Sequence, residues 1–568
     1  MNTKKSSINF PFSSILREGF RLDRAIPLLL LIILLVFIFY PIAMIFLTSI
    51  NHDGVFSTES YVVAFSSPAT YHALVNTVKM VAYTLVSATA IGGSLALIRH
   101  RTDFKYKNLI DFSVFLSFTI PAYILSVTWV EVFSRGGYLN RIIRLFDSSF
   151  SYTLNAYTLG ASAIILAMHL YPLIYYGLGN ALQLLGKTLE ENAKVCGANK
   201  KQILFRITLP LVLPAWLATS LLVVSRSMAN FGVPAQLSLP AGKEVLSTRV
   251  FSAMSDLDLN IVAVLSVLLI AISMFLFIWS EKAIKKKHYA IKTSSATSDQ
   301  SVIALGPWHK PVLVCLGIFF VFSIIVPFVT IITSSFFKRW GLPLSMDNLT
   351  INNYLKLFSK ENLLTIPLLN SLFYGIVGAT AATIIASLTV YFHTYRHDFI
   401  SSQLIHIAQL PIAVPNMILA VAAMFAWINP PFKLYGTRSL IIITYTVLFI
   451  PICIKQILGA SKNLDPSLDQ AARTMGIPMR KRYTQLFLPQ MKKGLMAGFL
   501  ICFLISLKEI PISLLLYTST TKTLGVMMFT IQSNSYGLEM TSSISVVVIL
   551  LSVAGNLLLK KIASRGKT

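Results

Sequence analysis

Glu191-Asn-Ala-Lys-Val-Cys-Gly197, followed by Ile207-Thr-Leu-Pro210, returns 279 residues later as Gln470-Ala-Ala-Arg-Thr-Met-Gly476, followed by Leu486-Phe-Leu-Pro489. Each copy is a polar, basic segment between two long apolar runs. Thr188 and Glu191 have the spacing of a helix-opening capping box, and Ser467 and Gln470 repeat it in the same register. Asp465-Pro466 adds a second start signal just upstream. Ala193, Ala471 and Ala472 are small, so another surface can come close. Gly197 and Gly476 fall where a left-handed residue would close such a helix. One copy alone reads as an ordinary helix-turn connection. Two copies in one register read as matched sockets for a soluble partner.

The surroundings of those sockets set the fold class. The chain has 568 residues, 55% of them hydrophobic, and a mean hydropathy of +0.70. A hydrocarbon layer about 30 Å thick takes roughly 20 apolar residues per helix. Twelve segments qualify, with approximate limits 26–50, 74–98, 109–134, 157–185, 210–230, 260–280, 311–335, 364–392, 402–428, 438–460, 494–516 and 541–560. They are continuous apolar runs without a period of two, so the expectation is an all-α polytopic membrane protein rather than a barrel.

A formal charge of +26 would suggest nucleic acid in a soluble protein. Here its distribution fits orientation instead. With the N-terminus inside, 32 of the 48 Lys and Arg fall in inner segments and 11 in outer loops, a positive-inside bias that puts both termini in the cytoplasm. One outer loop, 135–156, dissents with Arg135, Arg141 and Arg144. The four cysteines are scattered and suggest neither zinc nor disulfides. The first apolar run is too long for a signal peptide and reads as an uncleaved span.

The second half repeats the first. Asn76 and Asn370 are 294 residues apart, as are Pro121 and Pro415, whereas the sockets are 279 apart. The first half therefore carries 15 extra residues, most simply in loop 135–156. The expected layout is a tail (1–25), a six-span half (26–280), a polar linker (281–310), a second six-span half (311–560) and a short tail (561–568). Two parallel halves imply a pathway between them.

Glu-x-Ala-x-x-x-Gly with Ile-x-Leu-Pro beyond it resembles the permease signature of bacterial binding-protein-dependent ABC importers. The resemblance covers both halves. It implies a bacterial inner-membrane permease, two copies of a cytoplasmic ABC ATPase, an extracytoplasmic substrate-binding protein and alternating access. It assigns ATPase coupling to Glu191, Ala193, Gly197, Gln470, Ala471, Ala472 and Gly476. Asn192 replaces the first alanine of the pattern, and Gln470 replaces its acid. Asn230-Phe-Gly-Val-Pro234 and Lys508-Glu-Ile-Pro511 look like elements of the fused ferric-iron permeases, although Asn230 stands where an acid is usual. Relatives with this layout carry thiamine, phosphonates or sugar phosphates as well.

No P-loop is present: Gly186-Lys-Thr188 has Ala181 where the upstream glycine should be. ATP and its magnesium are therefore expected in a partner, with no cofactor and no catalytic residue in this chain. Ionisable residues in or beside spans are Lys79, Asp111, Glu131, His169, Arg226, Lys455, Lys508 and Glu509. Such residues are costly in lipid and mark pathways. Arg226, Asn230 and Glu509 are the expected pathway residues near the outer gate, with Arg226 and Asn230 four apart on one helix face. His169 reads as a packed histidine, and no metal-ligand spacing occurs. An ion-gradient secondary transporter also has 6 + 6 spans, but its Gly-x-x-x-Asp-Arg-x-Gly loop is absent from Arg99-His-Arg-Thr-Asp103.

Overall fold

The computed structural model describes residues 22–52, 54–147, 155–184, 187–285, 303–342, 345–359, 364–396, 398–430, 432–461, 464–465, 467–533 and 537–564. The N-terminal tail to residue 21, most of the expected linker (286–302) and the last four residues lie outside them. So does the side chain of Thr188, with its half of the first capping box.

Among the described residues, ten helices are long and apolar enough to cross a membrane, or twelve when each of two bent pairs counts as one span. In order, spans 1, 2, 4, 5 and 6 are Ala25–Ser49, Pro68–Arg101, Leu159–Gln183, Lys201–Met228 and Leu259–Ser280. Spans 7, 8, 10, 11 and 12 are Gly306–Ser335, Thr365–Tyr395, Arg438–Ser461, Met479–Leu507 and Gly537–Leu558. Large apolar side chains such as Val86, Phe275 and Leu550 point outward and stay more than 60% exposed. A lipid-facing surface accepts such a belt; a water-facing one does not.

Spans 3 and 9 differ from the sequence expectation of continuous helices. Each is broken, with bends of 97° and 112°. The break falls at Pro121 and at Pro415, and the preceding residues, Ile120 (φ −75°, ψ 125°) and Val414 (φ −97°, ψ 128°), are extended. Proline removes an amide and clashes with the helical conformation of its predecessor. His169 on span 4 hydrogen-bonds the backbone of Ile120, which helps to satisfy the chain where the ladder stops.

The duplication holds in atomic detail. Asn76 donates to the carbonyl of Glu244 at 2.9 Å, and Asn370 donates to Thr520 and Lys522 at 3.0 and 2.9 Å. Next to them, Thr77 Oγ1 accepts the Leu246 amide and Ser371 Oγ accepts the Leu524 amide, both at 2.8 Å. Each pair fastens the outer part of span 2 or 8 to a short helix, Leu246–Ser255 or Leu524–Ser533. Four π-helical turns occur, at Leu35–Phe39, Leu204–Thr208, Val321–Ile325 and Arg482–Phe487. Each precedes a proline (Pro41, Pro210, Pro327, Pro489), whose ring pushes the preceding turn wide.

The halves are interleaved. Span 1 packs on span 6 and on Asn416–Trp427 of the other half, and span 7 packs on span 12 and Ala122–Phe133. Phe37 and Tyr40 meet Trp427 at ring centroids of 5.7 and 5.6 Å. Across the same seam Ser542 donates to the buried Glu131 Oε1 at 2.6 Å. The dissenting loop contains a helix, Tyr138–Phe146. Its Arg141 donates to the carbonyls of Gly341 and Leu342, so this outer charge serves a contact between halves.

Candidate docking helices and central barrier

Lys187–Val195 and Ser467–Thr474 are the helices of the two sockets. Their closures are identical. Gly197 (φ +84°) and Gly476 (φ +72°) are left-handed. The Ala198 amide reaches back to the Ala193 carbonyl at 2.9 Å, and Ile477 to Ala472 at 3.0 Å. The Gly197 amide bonds to Lys194 and the Gly476 amide to Arg473, at 2.9 and 3.0 Å. This is the Schellman closure, which a residue with Cβ would strain. Glu191, Gly197, Gln470, Ala471 and Gly476 are exposed, Ala193 is half-buried and Ala472 is buried. Val195 and Met475, at 86% and 77% exposure, head the apolar part of the free surface.

The two helices are anchored differently. The expected capping box at Ser467 is replaced by a turn one step upstream: the helix begins at Ser467, whose amide donates to Asp465 Oδ1 at 2.9 Å. That hydrogen bond holds the exposed Asp465 carboxyl below its ordinary value. Behind this helix lies a buried ion pair. Arg482 Nη1 donates to both oxygens of Asp469 at 2.9 and 2.8 Å, and its Nε donates to the Ile477 carbonyl at 3.1 Å. The first socket has Glu190 and Ile203 at the corresponding positions. It uses a reciprocal box after its turn: the Asn199 amide donates to Gln202 Oε1 and the Gln202 amide to Asn199 Oδ1, each at 2.9 Å. Asn199-x-x-Gln202 was readable as a helix start, and Asp469 with Arg482 was not, since 13 residues separate them. Asn199→Ala is expected to loosen the first socket by about 1 kcal/mol, visible as faster amide exchange over Lys200–Ile203 with the second socket unchanged.

The expected pathway residues are placed separately. Span 5 stops at Met228, so Arg226 and Asn230 do not share a helix face. Asn230 Oδ1 instead accepts the Val233 amide at 3.0 Å, at the head of Gly232–Leu237. Buried Glu509 does the same job in the second half, accepting the Ile512 and Ser513 amides at 3.1 to 3.3 Å at the head of Pro511–Leu516. Arg226 is exposed.

Between the halves stands a cluster that sequence reading missed. Phe231 and Phe251 of the first half meet Phe529 of the second, with centroids 5.1 to 6.1 Å apart. Tyr123 lies 6.5 Å from Phe529 and donates to Gln532 at 3.0 Å, while Gln236 donates to Tyr123 at 2.5 Å. Phe251 and Phe529 are not in the 279-residue register, so the repeat gave no signal for them. A cavity of about 400 Å³ touches this barrier and is lined from both halves, including Tyr435 and Tyr517.

A duplicated helical membrane protein with two exposed, equally closed docking helices and a barrier on the seam between halves has the architecture of a transport permease. Residues 88–287 and 311–565 match the family described as "Binding-protein-dependent transport system inner membrane component", and the chain belongs to that family. It is similar to the ferric transport system permease protein FbpB of Actinobacillus pleuropneumoniae, 25% identical over 92% of this chain and 76% of that one. It is also similar to the sulfate transport system permease protein CysT of Salmonella typhimurium, 27% identical over 32% of this chain and 65% of that one. A chain of a bacterial ABC transporter that imports the acidic polysaccharide alginate covers 49% of this chain and 98% of its own length, at 20% identity and a TM-score of 0.40.

Proposed function

We propose that this chain is the fused permease subunit of a bacterial inner-membrane importer, with both termini in the cytoplasm. Two copies of a separate ATPase dock on the helices Lys187–Val195 and Ser467–Thr474 through Glu191, Ala193, Gly197, Gln470, Ala471, Ala472 and Gly476. An extracytoplasmic binding protein delivers the cargo, for which ferric iron is the proposed identity, supported by the similarity to FbpB over most of the chain. Closure of the ATPase pair moves the docking helices together, rocks the halves and opens the aromatic barrier outward. Hydrolysis resets it. The helices transmit a bias between two packings and supply no energy themselves.

The observation that carries this reading is the pair of equally closed, solvent-facing helices at one register. Its test is capture of the ATPase by the full-length chain. Gly197→Arg with Gly476→Arg strains both turns and fills both sockets, and is expected to reduce capture at least about tenfold. Undiminished capture would refute the assignment. Uptake that persists in energised but ATP-depleted membranes would instead identify an ion-gradient transporter.

A further inference from the structure

Two cations inside this protein have no counter-charge. Arg226 lies in the last turn of span 5 and Lys508 directly follows span 11. Neither side chain makes a hydrogen bond or ion pair with a described residue. His169 of span 4 lies within electrostatic reach of both, which brings three basic groups from the two halves together. The carboxylate adjacent in sequence is already committed: Glu509 holds the amides of Ile512 and Ser513, with Asn416 beside it. Glu131, the other buried acid of the seam, is held by Ser542. An unpaired ammonium and an unpaired guanidinium at membrane depth are costly and persist where they face water or an anion. Their position is specific. Phe231 of the barrier begins three residues beyond the end of span 5, so the cations lie just on the inner side of the aromatic cluster.

We propose that Arg226 and Lys508, with His169 behind them, form an anion-accepting station on the inner side of the barrier, and that the cargo crosses as an anion. This rests on the importer reading and narrows it: ferric iron would cross in an anionic oxygen-donor chelate, an inorganic oxyanion suits the station equally, and a cation such as thiamine does not. One cation comes from each half, so rocking the halves changes their separation, and grip and release follow from the gating motion itself. Two fixed cations attract an anion through a low-dielectric surround far more strongly than they would in water.

The test measures binding by the full-length chain in phosphatidylcholine nanodiscs, without ATPase, so that its failure is separable from failure of ATPase capture. Radiolabelled ferric citrate, inorganic sulfate and inorganic phosphate are titrated separately at constant ionic strength. At least one is expected to bind. Arg226→Gln with Lys508→Gln is expected to weaken that binding at least about tenfold, whereas Arg226→Lys with Lys508→Arg stays within about threefold. The probe that binds identifies the source of the anion. Thermal unfolding is followed for both pairs, and the charge-preserving pair together with single Arg226→Gln carries the test if the double glutamine chain does not fold. Binding of none of the three, equal binding by the glutamine variants, or accumulation of labelled thiamine by the wild-type importer overturns the proposal. So does binding that phosphatidylglycerol abolishes in a parallel set, which would assign the station to a lipid headgroup.

Discussion

Arg482→Leu is expected to lower ATP-driven uptake at least about 100-fold, and to do so by uncoupling the chain from its ATPase. Asp469 and Arg482 are each 4% exposed. The guanidinium holds both carboxylate oxygens and the Ile477 carbonyl just past Gly476. One side chain therefore binds the docking helix, its turn and the first turn of span 11 into a single body. Leucine leaves a buried carboxylate with no cation, a change that costs about 3–5 kcal/mol. The docking helix itself has only eight residues and is too short to be stable without its packing. Asp469→Leu with Arg482→Leu removes both charges and is expected to recover much of the lost stability, because paired removal avoids the orphaned ion. Amide exchange over Ser467–Thr474, ATPase capture and uptake are the measurements. Uptake of Arg482→Leu within about twofold of wild type would show that the pair is not a coupling strut.

The number of spans, their duplication and the location of both sockets were legible because they depend on composition and register, which survive as spacing: 279 residues between the sockets and 294 between Asn76 and Asn370. Gly197 and Gly476 were legible because a left-handed turn leaves a residue-type signature. The breaks in spans 3 and 9 were not. Hydropathy sees the apolar run on both sides of Pro121 and Pro415 but not the path of the backbone. Proline alone does not decide it, since Pro172, Pro214 and Pro451 remain inside helices. What separates the cases is whether neighbouring groups take up the freed backbone, as His169 does at Ile120. The barrier was illegible for a related reason. Phe251 and Phe529 meet only because two outer helices from different halves converge, and phenylalanine in an apolar chain carries no signal of its own. Arg226 and Asn230 were placed on one face by assuming that span 5 ran on to residue 230. It ends at Met228, and the short polar side chain of Asn230 is used as a cap.

Joining the halves at the barrier is expected to stop transport reversibly. Phe251 and Phe529 have ring centroids 6.1 Å apart and sit on Leu246–Ser255 and Leu524–Ser533, one helix from each half. In a chain with the two exposed thiols removed as Cys196→Ser and Cys315→Ser, Phe251→Cys with Phe529→Cys can be bridged by a short, reducible bis-thiol reagent. Cys453 and Cys502 are buried among spans with sulfurs 3.5 Å apart, away from such a reagent. Alternating access requires these two helices to separate in the outward-facing state, and a covalent tether resists that separation with far more than the few kcal/mol that bias such equilibria. Bridged chains are expected to lose at least about 95% of uptake, to keep ATPase capture and to recover on reduction. Either single-cysteine chain with the same reagent should keep its uptake, which separates tethering from the loss of an aromatic ring. If bridged chains transport at the unbridged rate, the cargo does not pass between Phe251 and Phe529, and the seam is a static contact rather than the gate.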